Sequence, residues 1–230
     1  MLEAHNLHLH GPDGAVALAD LTIFAHPGDL LAVLGGHGAG KSALLRTVAG
    51  LAQAEHGFLR LDGADLAGLG PHARAARGIA YAADGERVVE RLSVRENLLV
   101  GAWRRRDRRA VRREYSAWLE RFPALAAAAG RRAAVLDAGG RAAAALGRAW
   151  LAAPRVLLVD EPFAGLDGKS RAGIAAALRA ACDAGRIVVC AMHEPEDAAI
   201  ADRVNVLANG RLIFSGSPAA LATARPAGFE

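Results

Sequence analysis

Several things are scarce in this sequence, and each shortage removes a class of protein. Cysteine is limited to Cys182 and Cys190, too few for a disulfide framework and spaced unlike a zinc site, so both are read as reduced thiols. No charge-free stretch approaches the ~18 apolar residues needed to cross a bilayer. No basic segment followed by an apolar one opens the chain, so no secretory leader is expected. Aromatics supply 5% of residues against a hydrophobic share of 53%, much of it alanine. That balance is globular, and 230 residues are enough for one sizeable core, or a core with an inserted subdomain. Lysine is nearly missing: Lys41 and Lys169 are the only two.

Lys41 sits where the rest of the chain finds its organising point. The apolar run Leu31-Ala32-Val33-Leu34 has strand character and reaches Gly35-Gly36-His37-Gly38-Ala39-Gly40-Lys41-Ser42, which fits the phosphate-binding P-loop pattern G-x-x-x-x-G-K-[ST]. Glycines let backbone N–H groups turn inward around phosphates, and the helix that follows points its positive dipole end at the same anion. Lys41 then reaches the β- and γ-phosphates, and the Ser42 hydroxyl can ligate Mg²⁺.

The coarse pattern is α/β. Alternation over Leu2–His10 predicts a half-buried strand, Gly11-Pro12-Asp13-Gly14 a turn, and Ala15 to about Phe24 a second strand. A helix is expected from Ser42 to Gly50, and strands at Phe58–Leu61 before Asp62-Gly63 and at Ile79–Tyr81. From about residue 84 to 153 the pattern turns helical. Ser93-Val94-Arg95-Glu96 forms a capping box, a second helix covers the arginine run 104–113 and stops at Pro123, and a third spans Arg141–Ala152. Strand character returns at Arg155–Val159 and Ile187–Met192, around a helix from about Lys169 to Ala184. An Asn209-Gly210 hairpin and a short helix after Ser217-Pro218 follow. The expected organisation is one α/β domain over 1–230 with a helical insert at about 84–153.

Val156-Leu157-Leu158-Val159-Asp160-Glu161 is an apolar strand ending in two carboxylates, the Walker-B pattern. Four apolar residues in a row suit a parallel strand covered on both faces, whose carboxyl end is where open α/β sheets bind ligands. Asp160 is assigned to Mg²⁺ through its waters and Glu161 to polarising the attacking water as general base. His193 follows the next apolar strand. A lone histidine there is ordinarily a surface or packed residue, and only its position towards the γ-phosphate makes it a candidate.

With these motifs in place, the chain resembles, over essentially its whole length, the ATP-binding subunit of an ABC transporter. The resemblance rests on Gly35–Ser42, Val156–Glu161, the D-loop Ala164-Gly165-Leu166-Asp167, and His193 as switch histidine. Gly78–Tyr81, Leu92–Ala102 and Glu120–Pro123 are similar to ATPases of branched-chain amino-acid importers and their amide-importing relatives. It implies an ABC-type P-loop core, with a mixed sheet, an antiparallel β subdomain and an inserted helical subdomain. It also implies a dimer sandwiching two ATP and Mg²⁺ sites, permease subunits as partners, and a place on the cytoplasmic face of the cell membrane.

The family's signature loop, normally L-S-G-G-[QE], falls on Leu136-Asp137-Ala138-Gly139-Gly140. There the resemblance implies that residue 137 and the amides near Gly139 face the partner's γ-phosphate. Aspartate presents like charge: at ~4 Å and an effective dielectric near 20, each unit-charge pair costs on the order of 4 kcal/mol. Asp84 stands where the family usually has Gln or Glu in the Q-loop, a departure that bears on the Mg²⁺ contact and permease coupling the resemblance implies. His37 stands where asparagine is common, and His10 where an aromatic stacks on adenine. The groups acting on this chain's own nucleotide are therefore intact while the loop offered to a partner is altered, so a heterodimer with one competent site is expected. A regulatory subunit with little turnover is the alternative. The arginine run reads as a solvated helical face or as a docking or membrane-surface patch. Nucleic-acid binding is not expected, and the missing N-K-x-D motif argues against a GTPase.

Overall fold

The computed structural model describes residues 1–11, 13–84 and 88–224. Pro12 of the expected turn, residues 85–87 of the expected insert and residues 225–230 lie outside them. The strand β1 (Leu2–His10) buries Leu2 and Ala4 and then Leu7 and Leu9; the change of phase is absorbed by an irregularity at Asn6, whose φ is 50°. It pairs antiparallel with β2 (Val16–Ala25) and β4 (His56–Leu61), and β5 (Ala64–Asp65) completes the order β2-β1-β4-β5.

The second sheet runs β10-β9-β3-β8-β7-β6. Its strands are β3 (Leu30–Leu34), β6 (Ile79–Ala82), β7 (Val156–Asp160), β8 (Ile187–Ala191), β9 (Arg203–Ala208) and β10 (Arg211–Gly216). All neighbours are parallel except the β9–β10 hairpin. Every residue of β3, β7 and β8 is buried. Leu31, Val33, Leu158 and Val189 face α1 (Lys41–Ala49) and the antiparallel sheet beyond it. Leu30, Ala32, Leu157, Val159 and Val188 face α7 (Gly168–Asp183) and the helices between β6 and β7. Burial on both faces is why these strands are uninterrupted apolar runs in the sequence.

Arg74, in α2 (Pro71–Ala76), fixes the far end of α1. Its guanidinium is buried and donates to the carbonyls of Thr47, Val48, Leu66 and Leu69 at 2.5–3.1 Å. Thr47 and Val48 lie in the last turn of α1, whose carbonyls lack helical partners. We expect Arg74→Met to lower the unfolding free energy by about 2 kcal/mol, since it strips hydrogen bonds made by a charged donor. Chemical denaturation measures this, and an unchanged midpoint would deny Arg74 that role.

Between β6 and β7 lie α3 (Val94–Leu99) with a 3₁₀ turn at Val100–Ala102, α4 (Arg108–Arg121), α5 (Pro123–Ala127) and α6 (Ala138–Leu151). The Ser93–Glu96 capping box forms as expected. Three boundaries differ from the sequence reading. The Asp107 carboxylate caps α4 by accepting the Ala110 N–H at 3.0 Å, so Arg104–Arg106 precede the helix. Pro123 ends α4 but also starts α5, where its missing N–H costs nothing. The Asp137 carboxylate accepts the Gly140 N–H at 2.7 Å, so α6 starts at Ala138, ahead of Arg141. Arg105 chelates Glu114, while Arg108, Arg109, Arg112 and Arg113 are exposed along α4. Trp118 is enclosed at the centre of this helical layer, its indole N–H donating to the Ala143 carbonyl at 3.2 Å. The C-terminal α8 (Pro218–Ala224) is capped by the Ser217 hydroxyl.

Candidate functional site

The loop between β3 and α1 is shaped by two glycines. A Cβ on Gly35 (φ 149°) would lie 2.4 Å from the Leu207 carbonyl oxygen, and one on Gly40 (φ 104°) 2.4 Å from that of Ala17. Only glycine fits either place. Positions 36 and 38 face open space, and no side chain caps the N-terminus of α1. The first-turn amides of a nine-residue helix are thus left to an anion. This cradle, beside the hard oxygen donors of Ser42 and Asp160, suits a nucleotide phosphate with Mg²⁺.

Lys41 is buried, with its ammonium donating to the carbonyls of Gly35 (2.6 Å) and Gly36 (3.1 Å) and 3.8 Å from Glu161 Oε1. Parallel pairing carries Asp160 and Glu161 to the carboxyl end of β7, beside Ala191 of β8. The Ser42 hydroxyl donates to Asp160 Oδ1 at 3.1 Å, and the Tyr81 hydroxyl to Oδ2 at 2.9 Å. Glu161 takes a left-handed backbone (φ 48°), turning the chain as the strand ends. Burial pushes its carboxyl up from the ordinary glutamate value. Lys41 and His193 pull against this shift, and the charges of Asp160 and Asp84 add to it. A carboxyl so placed is more basic than a solvated one.

A cleft of about 640 Å³ gathers these groups: Gly36 through Ser42, Asp84, Glu161 and His193 all line it. His193 packs edge-on against His37, ring centres 4.9 Å apart at 67°. Five expected residues do not line this cleft. Gly35 is pressed against the Leu207 backbone, and Asp160 is reached from the cleft through the Ser42 hydroxyl. His10, at the end of β1, is held by Glu55 through its ring Nδ1 (2.9 Å) and backbone N–H (3.1 Å), and backbone near Ala17 forms the wall instead. Asp137 is engaged as the cap of α6. Gly139 presses on α7, where an added Cβ would lie 2.3 Å from Ser170 Oγ.

The sequence reading missed two features. The cleft wall includes Arg171, which pairs with Asp197 and lies over Phe163, its Cζ 5.5 Å from the ring centre. Burial pushes the Asp197 carboxyl up, against the pull of Arg171. Tyr81, which grips Asp160, was seen only as a strand residue. Its burial raises the phenol's pKa, with Asp160 adding to the effect. The one available signal was an aromatic hydroxyl on the strand that Asp84 follows.

Comparison with known proteins fits this geometry. A family profile described as "ABC transporter" matches residues 18–164. A high-affinity branched-chain amino acid transport ATP-binding protein, BraG of Pseudomonas aeruginosa, is 34% identical across 90% of this chain and 89% of its own. A phosphonates import ATP-binding protein, PhnC of Hyphomonas neptunium, is 35% identical over 90% and 84%. Among solved structures, the dimeric post-hydrolysis state of an ATP-binding cassette bound to ADP and Pi superposes with a TM-score of 0.83. It shares 20% identity and covers 95% of this chain and 99% of that one.

Proposed function

The chain belongs to the ABC transporter ATPase family, and from that premise we propose that it binds and hydrolyses ATP to power a membrane importer, taking up branched-chain amino acids or related small solutes. The observation that carries the hydrolytic part is the meeting of Lys41, Ser42, Asp160, Glu161 and His193 around one phosphate cradle. The solute assignment is supported by similarity to BraG, and the likeness to PhnC marks phosphonates as its competitor.

In this reading the amides of Gly36 to Lys41 and the Lys41 ammonium hold the triphosphate. Lys41 exchanges its present carbonyl partners, Gly35 and Gly36, for phosphate oxygens. Ser42 and Asp160 would hold Mg²⁺, with Asp84 beside them, and the chemistry it would supply is neutralisation of phosphate charge. Glu161, buried and made more basic, draws a proton from the attacking water. His193 stands where it can hydrogen-bond the γ-phosphate. The working unit is a dimer with permease subunits, on the cytoplasmic face of the membrane.

The altered signature loop favours a heterodimer. A partner with an intact signature would complete the site built on this chain's P-loop, while Asp137 weakens the site built on the partner's. Aspartate and serine are comparable helix caps, so Asp137→Ser should leave stability nearly unchanged. In the purified chain acting alone it should raise turnover about ten- to a hundredfold, by replacing repulsion with a hydrogen bond to a charged group. Phosphate release and thermal melting measure the two effects separately. Robust hydrolysis by the unaltered homodimer, abolished by Glu161→Gln, would refute the asymmetry. Asp137 together with Asp84 also favours a second reading, a nucleotide-binding regulatory subunit with little turnover. Single-turnover hydrolysis with the partner chain separates the two.

A further inference from the structure

We propose that Tyr81 is a positioning residue for the magnesium site, holding the Asp160 carboxylate in the orientation that receives the metal. The inference rests on the nucleotide-binding reading above and assigns a role to a side chain that the P-loop and Walker-B patterns leave out.

The geometry is specific. Tyr81 belongs to β6, the edge strand paired with β7, where it lies opposite Leu158, two residues before Asp160. Its hydroxyl reaches Asp160 Oδ2 at 2.9 Å while the Ser42 hydroxyl reaches Oδ1 at 3.1 Å. The terminal torsion of an aspartate is broad and only weakly fixed by its own rotamer preferences. One donor on each oxygen, from two different elements, fixes the plane of the carboxylate. A carboxylate offers about four lone-pair sites, so both donors are satisfied with acceptor capacity left for metal-bound water. Ser42 is itself assigned to the metal, which leaves Tyr81 as the donor outside the coordination shell. Outer partners of this kind orient metal-binding groups, and their loss typically weakens metal affinity about 10- to 100-fold.

Among the described residues the hydroxyl's hydrogen bond goes to Asp160 alone. The rest of the ring lies along the wall of a separate cleft of about 960 Å³, bordered by α2, Gly101, Trp103 and the end of α6. A phenylalanine would fill that wall equally well.

Tyr81→Phe in the full chain isolates the contact. The probe is a fluorescent, non-hydrolysable ATP analogue, titrated with Mg²⁺ at fixed nucleotide and, in parallel, in the presence of a chelator. The variant should need about tenfold more Mg²⁺ to reach half-saturation. Metal-free nucleotide binding should stay within twofold, and melting within about 4 °C, of the unaltered chain. An unmoved Mg²⁺ midpoint, with or without a lower melting temperature, overturns the proposal, because a merely structural hydroxyl affects stability alone. Tyr81→Leu keeps an apolar side chain with no donor and should reproduce the shift; a normal midpoint there overturns the proposal as well. Failure of the unaltered chain to take up the analogue with Mg²⁺ would instead sink the nucleotide-site reading itself, and this inference with it.

Discussion

Replacing Glu161 with glutamine should lower ATP turnover by about two to four orders of magnitude, the usual contribution of a positioned general base, while Mg²⁺-ATP still binds. Glutamine keeps the size and the left-handed turn of the backbone but cannot accept the water's proton. Lys41 would lose a neighbouring carboxylate 3.8 Å away, so nucleotide affinity should hold or rise. Phosphate release at saturating ATP gives the first quantity and calorimetry the second. Turnover within tenfold of the unaltered chain would remove Glu161 from the chemical step. Loss of binding together with turnover would show a disrupted site instead.

A Trp118→Ala exchange should cost about 3–5 kcal/mol of folding stability, the largest effect expected from a residue remote from the cleft. The indole is 2% exposed, so nearly all of its area is lost from the core. Its neighbours are the rings of Phe122 and Trp150, with centres 4.9 and 5.4 Å away. Urea unfolding monitors the loss, and a change under about 1 kcal/mol would mean that the three helices repack around the hole.

What could be read from the sequence follows a physical division. Gly35–Ser42 and Val156–Glu161 are legible because a glycine cradle at a helix start and a carboxylate pair at a strand end each need fixed residue types at short spacing. The buried strands are legible because burial on both faces leaves no polar position. The Tyr81–Asp160 contact joins residues brought together only by the order of strands in the sheet, and the Arg171–Asp197 pair joins α7 to the 3₁₀ helix Pro195–Ile200 beyond β8; neither leaves a local pattern. Capping explains the shifted boundaries. Asp107 and Asp137 each start a helix by accepting one amide hydrogen, and at Asp137 that task is compatible with the substitution that looked purely disruptive. His10 stands where the family resemblance implies an aromatic on adenine, but Glu55, just ahead of β4, holds its ring, and that pairing leaves no local pattern either.

Two glycines of the helical layer, Gly101 and Gly147, have a mechanical consequence. Gly101 brings its backbone so close to α6 that an added Cβ would lie 1.8 Å from the Arg148 carbonyl oxygen, and at Gly147 one would lie 2.3 Å from the Trp118 ring nitrogen. Segments that touch backbone to backbone have no slack for sliding, because close-packed interiors deform little. The layer therefore has little room to shear internally, and displacement of its helices relative to the sheet would fall on its edges. At one edge, just past α6, Ala153 already sits at φ 52°, a bend that a β-carbon resists and a glycine would relax.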